Sequence, residues 1–241
     1  MAKVVLVTGG SRGIGKAIVS VFASNGFNVV LNYVNSEEIS NNFCLELENE
    51  YNIKTLSIKC DVSKEENVKN MIDEVIEKFG RLDVVVNNAG ICIDSIIDDK
   101  DYNSFRKILD VNLIGTFLVS KYAGKVMEKG SIINISSTNG IDSYYPFSMD
   151  YDASKAGVNI LTRDLAVEFA PNIRVNAVAP GWVDTEMNEL LEVDFINKEL
   201  NKIALGRFAA PLEIAKVVYF LASEEASYIN GEIIKVDGGR K

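Results

Sequence analysis

Tyr151 and Lys155 of the string YDASK are the first pair able to move a proton, in a 241-residue chain with no histidine. On a helix, residues i and i+4 share a face, so phenol and ammonium would lie side by side. A free phenol titrates near ~10, and lowering it to ~7 takes about 4 kcal/mol of preferential stabilisation of the phenolate. A cation held nearby favours that ionised form. The lack of histidine excludes His-ligated metals, Ser-His-Asp triads and Cys-His dyads together. Cys44, Cys60 and Cys92 lie far apart with no CxxC pairing, so neither a disulfide framework nor a thiolate metal site is signalled.

Upstream, NISSTNG (134–140) offers two hydroxyls, Ser136 and Ser137. In a continuing strand they point to opposite faces, so only one can share a pocket with the tyrosine. Nearer the N-terminus, an apolar run leads straight into TGGSRGIG, which holds Gly9, Ser11, Arg12, Gly13, Ile14 and Gly15. Glycines at such a strand-to-helix turn let the backbone approach a pyrophosphate at the helix N-terminus, the mark of a dinucleotide site. A carboxylate about 20 residues on would bind a ribose 2′-hydroxyl and repel a 2′-phosphate. Here the second apolar run ends Asn32-Tyr33-Val34-Asn35-Ser36, with no carboxylate before Glu37. Arg12 supplies positive charge, and Asn32 and Ser36 supply donors, so NADP(H) is favoured over NAD(H). Asp61 and Val62 of CDV, and Asn87, Asn88, Ala89 and Gly90 of NNAG, follow two further runs and would line the adenosine on the same rim.

The elements that must position these residues alternate. Apolar runs at 3–8, 28–33, 55–60, 82–87, 131–136, 173–179 and 232–237 read as strands buried on both faces. Helix-like segments fall at about 13–25, 37–50, 64–79, 103–128, 151–170 and 211–223, with capping signals at Ser36 and at Ser63 ahead of Glu66. This is the pattern of an α/β doubly wound Rossmann domain, a seven-stranded parallel sheet with helices on both faces. No linker or repeat interrupts it, so residues 1–241 read as one domain, with the strand-poor segment 181–206 as a substrate lid. Within 186–203, Met187, Leu190, Leu191, Phe195 and Ile196 alternate with carboxylates as an amphipathic cover would. A net charge of −9 argues against nucleic acid and anionic membranes, and no apolar run reaches the roughly 18 residues of a spanning helix. The first ten residues lack a signal-peptide pattern, and a cytoplasmic location is expected.

Taken together, TGGSRGIG, CDV, NNAG, VNLIGTF (111–117), NISSTNG, YDASK, RVNAVAPG (174–181) and VDGG (236–239) stand in the order and approximate spacing of the short-chain dehydrogenase/reductase family. The chain resembles that family over nearly its whole length, most closely the 3-oxoacyl-[acyl-carrier-protein] reductase-like members. The resemblance implies strand order 3-2-1-4-5-6-7, a homotetramer, and hydride transfer between carbonyl and alcohol. It implies a tetrad of Asn112, Ser137, Tyr151 and Lys155, the serine selected by the Ser-x-x-Gly pattern that ends at Gly140. It also implies a nicotinamide-side turn of Pro180, Gly181, Val183 and Thr185. One departure is that Ser137 and Tyr151 are 14 apart where many relatives have 13, and the extra residue falls in IDSYYPFSMD beside the substrate.

On this reading Tyr151 gives its proton to the developing alkoxide and Ser137 polarises the same oxygen, while Lys155, together with the positive ring of the oxidised nicotinamide, tunes the tyrosine and also orients the nicotinamide ribose. Asn112 would hold a water linking Lys155 to solvent. The implied substrate is a 3-oxoacyl thioester, with a sugar, polyol or other small alcohol or ketone as the alternative. A non-catalytic NADP(H)-binding protein is a lesser alternative that an intact tetrad disfavours. An acyl carrier protein partner would look for basic residues, for which Lys121, Lys125 and Lys129 are candidates, although Pro171 replaces a basic residue common in such reductases.

Overall fold

The computed structural model describes residues 2–186 and 192–240. Seven strands form one sheet: β1 (Val4–Val7), β2 (Asn28–Tyr33), β3 (Thr55–Lys59), β4 (Val84–Asn87), β5 (Gly130–Ile135), β6 (Ile173–Pro180) and β7 (Ile233–Val236). Their order is β3-β2-β1-β4-β5-β6-β7 and every neighbouring pair is parallel. The sequence-predicted class and order agree with this arrangement. The sheet is buried on both faces, so each strand presents apolar side chains alternately to two cores. Val5, Val7, Val29 and Leu31 face one core with Ile18, Phe22, Phe43 and Ile214. Val4, Leu6, Val30 and Val85 face the other with Met71, Ile72, Leu118 and Leu165.

The helices supply those layers. On the first face lie α1 (Gly13–Ser24), α2 (Glu37–Tyr51) and, later in the chain, α8 (Pro211–Ala222). On the second lie α3 (Glu65–Phe79), α5 (Gly115–Val126) and α6 (Met149–Glu168). Chain direction reverses its walk across the sheet between β1 and β4, and the crevice at such a switch point is where ligands bind in open α/β sheets.

The helix predicted over 103–128 is two helices, α4 (Tyr102–Leu109) and α5, joined by a π turn at Asp110–Ile114. Apolar periodicity runs through the join, so the sequence pattern does not mark it. Ser63 does not cap α3: Lys64 holds that position, and the Ser63 hydroxyl and N–H both donate to Asp61 Oδ1. Ser36 does occupy the N-cap of α2, but without a side-chain cap bond; Glu37 and Glu38 complement the helix dipole instead. The segment 181–206 contains a helix, α7 (Val193–Leu200). Of the five apolar residues expected in a lid, Phe195 and Ile196 are half-buried, while Met187, Leu190 and Leu191 lie outside the described residues.

Candidate active site

Tyr151 and Lys155 sit in the first turns of α6, and the Lys155 ammonium lies 5.5 Å from the centre of the tyrosine ring. Lys155 is 4% exposed and donates to the carbonyl of Ile135 at the end of β5 (2.7 Å). The two residues that follow β5 turn to different partners. Ser136 turns to Asn159 Oδ1 (2.6 Å) on α6, whereas Ser137 is the hydroxyl that acts on the Tyr151 phenol, favouring its ionised form. Gly140 allows this approach, because a Cβ there would lie 2.6 Å from the Lys155 carbonyl carbon. Asp152 holds the intervening loop on α6, accepting from Asn139 Nδ2 (2.7 Å), the Tyr145 N–H (2.9 Å) and Ser148 Oγ (3.1 Å). No motif marks Asp152 for that task.

The protein's own groups do not push Tyr151 in the direction expected from sequence. Burial drives the phenol above its ordinary value, opposed by the hydrogen bond with Ser137, while Cys92 and Asp152 push it further up. Burial likewise lowers Lys155 from 10.5 to about 8. Desolvation therefore dominates for both groups, and the protein's own residues hold each nearer its neutral form. Cys92 lies near this pair, its thiol raised to about 12 by burial and by Asp94, which makes it a poor nucleophile at neutral pH.

Asn112 sits within the π turn, a feature often found at functional sites. Its Oδ1 accepts from the Ile91 N–H (2.8 Å), and its Nδ2 donates to Ile91 O (2.9 Å) and Ser154 Oγ (3.1 Å). Both amide hydrogens are thus engaged, leaving one lone pair on Oδ1 for a water. A Cβ on Gly90 would lie 3.4 Å from Asn112 Oδ1 and 3.6 Å from Lys155 Nζ, so the NNAG loop, the π turn and α6 meet there.

On the other side of the switch point the glycine loop fits a pyrophosphate. Gly9 and Gly13 have φ of +63° and +52°, and a Cβ at Gly15 would lie 2.2 Å from the Gly9 carbonyl oxygen. Such crowding and positive φ require glycine, and they leave the first N–H groups of α1 uncovered. Ser11 is buried within the loop, Ile14 half-buried, and Arg12, at the N-cap of α1, is exposed with no ion pair among the described residues. Facing the loop is the turn after β6: a Cβ at Gly13 would be 3.5 Å from the Thr185 methyl. Pro180 pairs with Val236, Gly181 packs on Asp237, and Val183 is buried and bridged to Ala209.

Three residues expected to touch the nucleotide serve the scaffold instead. Asn32 is buried, donates to Cys60 O (2.8 Å) and Tyr33 O (3.2 Å), and accepts from the Gly9 N–H (3.2 Å). Its donors are committed, so it braces the glycine loop and does not reach for a 2′-phosphate. Asn87 points into the interior, donating to Asn134 Oδ1 and Ser120 Oγ. Asn88 donates both amide hydrogens to the carbonyls of Thr8 (2.9 Å) and Gly9 (3.0 Å), clamping the loop. Tyr33 is buried too, whereas Ser36 is half-buried with its hydroxyl unengaged as a cap. Asp61 keeps Oδ2 clear of the Ser63 turn, and Val62 is buried against Gly115.

A family model described as Enoyl-(Acyl carrier protein) reductase matches residues 9–241. The chain belongs to the short-chain dehydrogenase/reductase family. It is 40% identical to the 3-oxoacyl-[acyl-carrier-protein] reductase FabG of Aquifex aeolicus, covering 98% of this chain and 96% of that protein. It is 39% identical to glucose 1-dehydrogenase 2 of Bacillus subtilis, covering 98% and 94%. A crystal structure of a dehydrogenase/reductase from Sinorhizobium meliloti superposes with a TM-score of 0.95 at 34% identity, over 99% of this chain and 95% of that one. This family member is therefore an oxidoreductase that uses a nicotinamide cofactor. Among the described residues no helix is long and apolar enough to cross a membrane, and no cluster of three metal-ligating side chains occurs.

Proposed function

We propose that the protein reduces a 3-oxoacyl thioester to the 3-hydroxyacyl thioester with NADPH. The observation that carries this reading is the meeting of Ser137, Tyr151 and Lys155 beside Gly90, opposite a glycine loop shaped for a pyrophosphate. The nicotinamide supplies the hydride when bound. Ser137 donates a hydrogen bond to the substrate carbonyl oxygen, and Tyr151 gives that oxygen its proton as negative charge develops there. Lys155, buried and held by Ile135 O, keeps a proton within reach of the phenol, and Asn112 fixes Ile91 and so the wall of the pocket. Arg12, an exposed cation at the start of α1 with no carboxylate at 32–36 to oppose it, supports NADP(H) over NAD(H).

The name of the Aquifex relative supports the thioester, while the Bacillus relative supports a small alcohol or sugar as the second reading. An acyl carrier protein is the carrier in the first reading, although Lys121 is already paired with Glu65 (2.7 Å), which leaves Lys125 and Lys129. A cytoplasmic homotetramer of single-domain subunits completes the proposal. The test is turnover of acetoacetyl-CoA with NADPH beside oxidation of glucose and small secondary alcohols with NADP+. Faster specific turnover of the alcohols would replace the first reading with the second.

A further inference from the structure

Lys100 lies just before α4, in the acidic run DDKD, and no motif points to it. Its side chain is only 3% exposed, and that of its partner Asp150 only 1%. The ammonium donates to both Asp150 oxygens (2.9 and 3.0 Å) and to the carbonyl of Ile93 (3.2 Å). Asp150 Oδ1 in turn accepts the backbone N–H of Tyr151 (3.0 Å). Three segments therefore meet on one buried cation: the loop after β4, the start of α4 and the first turn of α6. That loop is fixed at its near end by Asn112 on Ile91, and in the middle by the Ser95 N–H on Phe147 O (3.0 Å). Its far end is closed only through Lys100, among the bonds of the described residues. Burying a full ion pair is expensive and seldom adds stability over an apolar pair, so stability alone is a weak account of its presence.

We propose that Lys100 and Asp150 are positioning residues for the reaction: their ion pair locks the pocket loop to the turn that carries Tyr151 and cancels the charge of the carboxylate on the residue next to it. This rests on the proposed proton transfer by Tyr151. The charged or titratable groups acting on that phenol are Lys155, over its ring, and Asp152 from α6 and Cys92 from the loop after β4, with Asp94 and Asp150 acting on Cys92 in turn. Ser137 faces it from the loop after β5. Among them Asp150 alone has a buried counter-cation from another segment.

The test compares the wild type with Lys100→Met, Asp150→Asn and the double variant. The readout is the ionisation midpoint of Tyr151 with saturating NADP+, taken as the tyrosinate ultraviolet change that each protein shows and its Tyr151→Phe counterpart lacks. Lys100→Met leaves a bare carboxylate and should move the midpoint up by about one pH unit, the effect of a unit charge roughly 10 Å away at an effective dielectric of about 20. Asp150→Asn leaves a bare ammonium and should move it down by a similar amount, and the double variant should return it close to wild type. The pH dependence of kcat/KM for 3-hydroxybutyryl-CoA oxidation should follow the same order. Shifts in one direction for both single variants, no shift, or no restoration in the double variant would overturn the proposal. If Lys100→Met fails to fold, Asp150→Asn and the double variant decide, since asparagine keeps the acceptor for Lys100 and for the Tyr151 N–H. Failure of the wild type to turn over the thioester would sink the thioester reading alone, and the NADP+ titration would still decide the ion pair.

Discussion

Replacing Lys155 by methionine removes a charge that folding strips of water. Burial lowers this ammonium from 10.5 to about 8, which corresponds to about 3 kcal/mol of folding free energy at neutral pH. Against that gain, the variant loses the hydrogen bond to Ile135 O and leaves the carbonyl with one partner fewer, a cost of about 1–2 kcal/mol. Methionine has similar length and fills the same space. Lys155→Met should therefore be more stable than the wild type at pH 7 by about 1–2 kcal/mol, while losing about 10²–10⁴-fold in kcat. The sign of the pH dependence follows from the depressed value. The folded protein binds fewer protons than the unfolded chain between about 8 and 10.5, so wild-type stability rises through that window. The penalty is fully present below about 8 and gone above 10.5, so the advantage of the variant should shrink as pH rises. Equilibrium urea unfolding of both proteins at pH 7 and pH 9.5 measures it, and titrations common to both cancel in the difference. A variant less stable than wild type at pH 7, by an amount that does not change with pH, would refute the reasoning.

Two further substitutions separate contact from support. Arg12→Ala should raise KM for NADPH roughly 10–100-fold and leave KM for NADH within about twofold, as loss of one charge-assisted bond to a phosphate requires. Asn32→Ala should instead lower stability by about 2–3 kcal/mol with the NADPH/NADH preference unchanged, because its amide braces strands and glycine loop. Gly140→Val places a side chain against the α6 backbone at Lys155, and steady-state kinetics should show kcat down by about 100-fold, the usual effect of displacing a catalytic group by ~1 Å.

Much of the fold could be read because strands buried on both faces must be apolar throughout; the β-branched runs VVLV and VVVN, each followed by a glycine-containing turn, suit the centre of a sheet. The face of α6 that carries Tyr151 and Lys155 was equally legible, since an i,i+4 pair needs only a helix. The π turn was not, because Asp110–Ile114 inserts extra residues into a helix whose apolar periodicity continues past it. Asn32 and Asn88 read as ligand contacts in the sequence because an asparagine at a strand end looks alike whether its amide faces a phosphate or a neighbouring carbonyl. Their actual partners, Cys60, Thr8 and Gly9, lie just past the ends of strands distant in sequence. The same blindness hid Lys100 and Asp150, 50 residues apart. Nor could sequence weigh desolvation against attraction in the Tyr151–Lys155 pair, since that balance depends on burial.

The measurement that tests the central claim most directly is NADPH oxidation with acetoacetyl-CoA by the wild type and Tyr151→Phe, alongside the NADPH dissociation constant of each. Loss of the proton donor should lower kcat by about 10²–10⁴-fold while NADPH binding changes less than about threefold, since only the hydroxyl is removed. A variant that retains wild-type kcat would contradict the assignment of Tyr151 as the proton donor, and with it the role given to Ser137 and Lys155 around it.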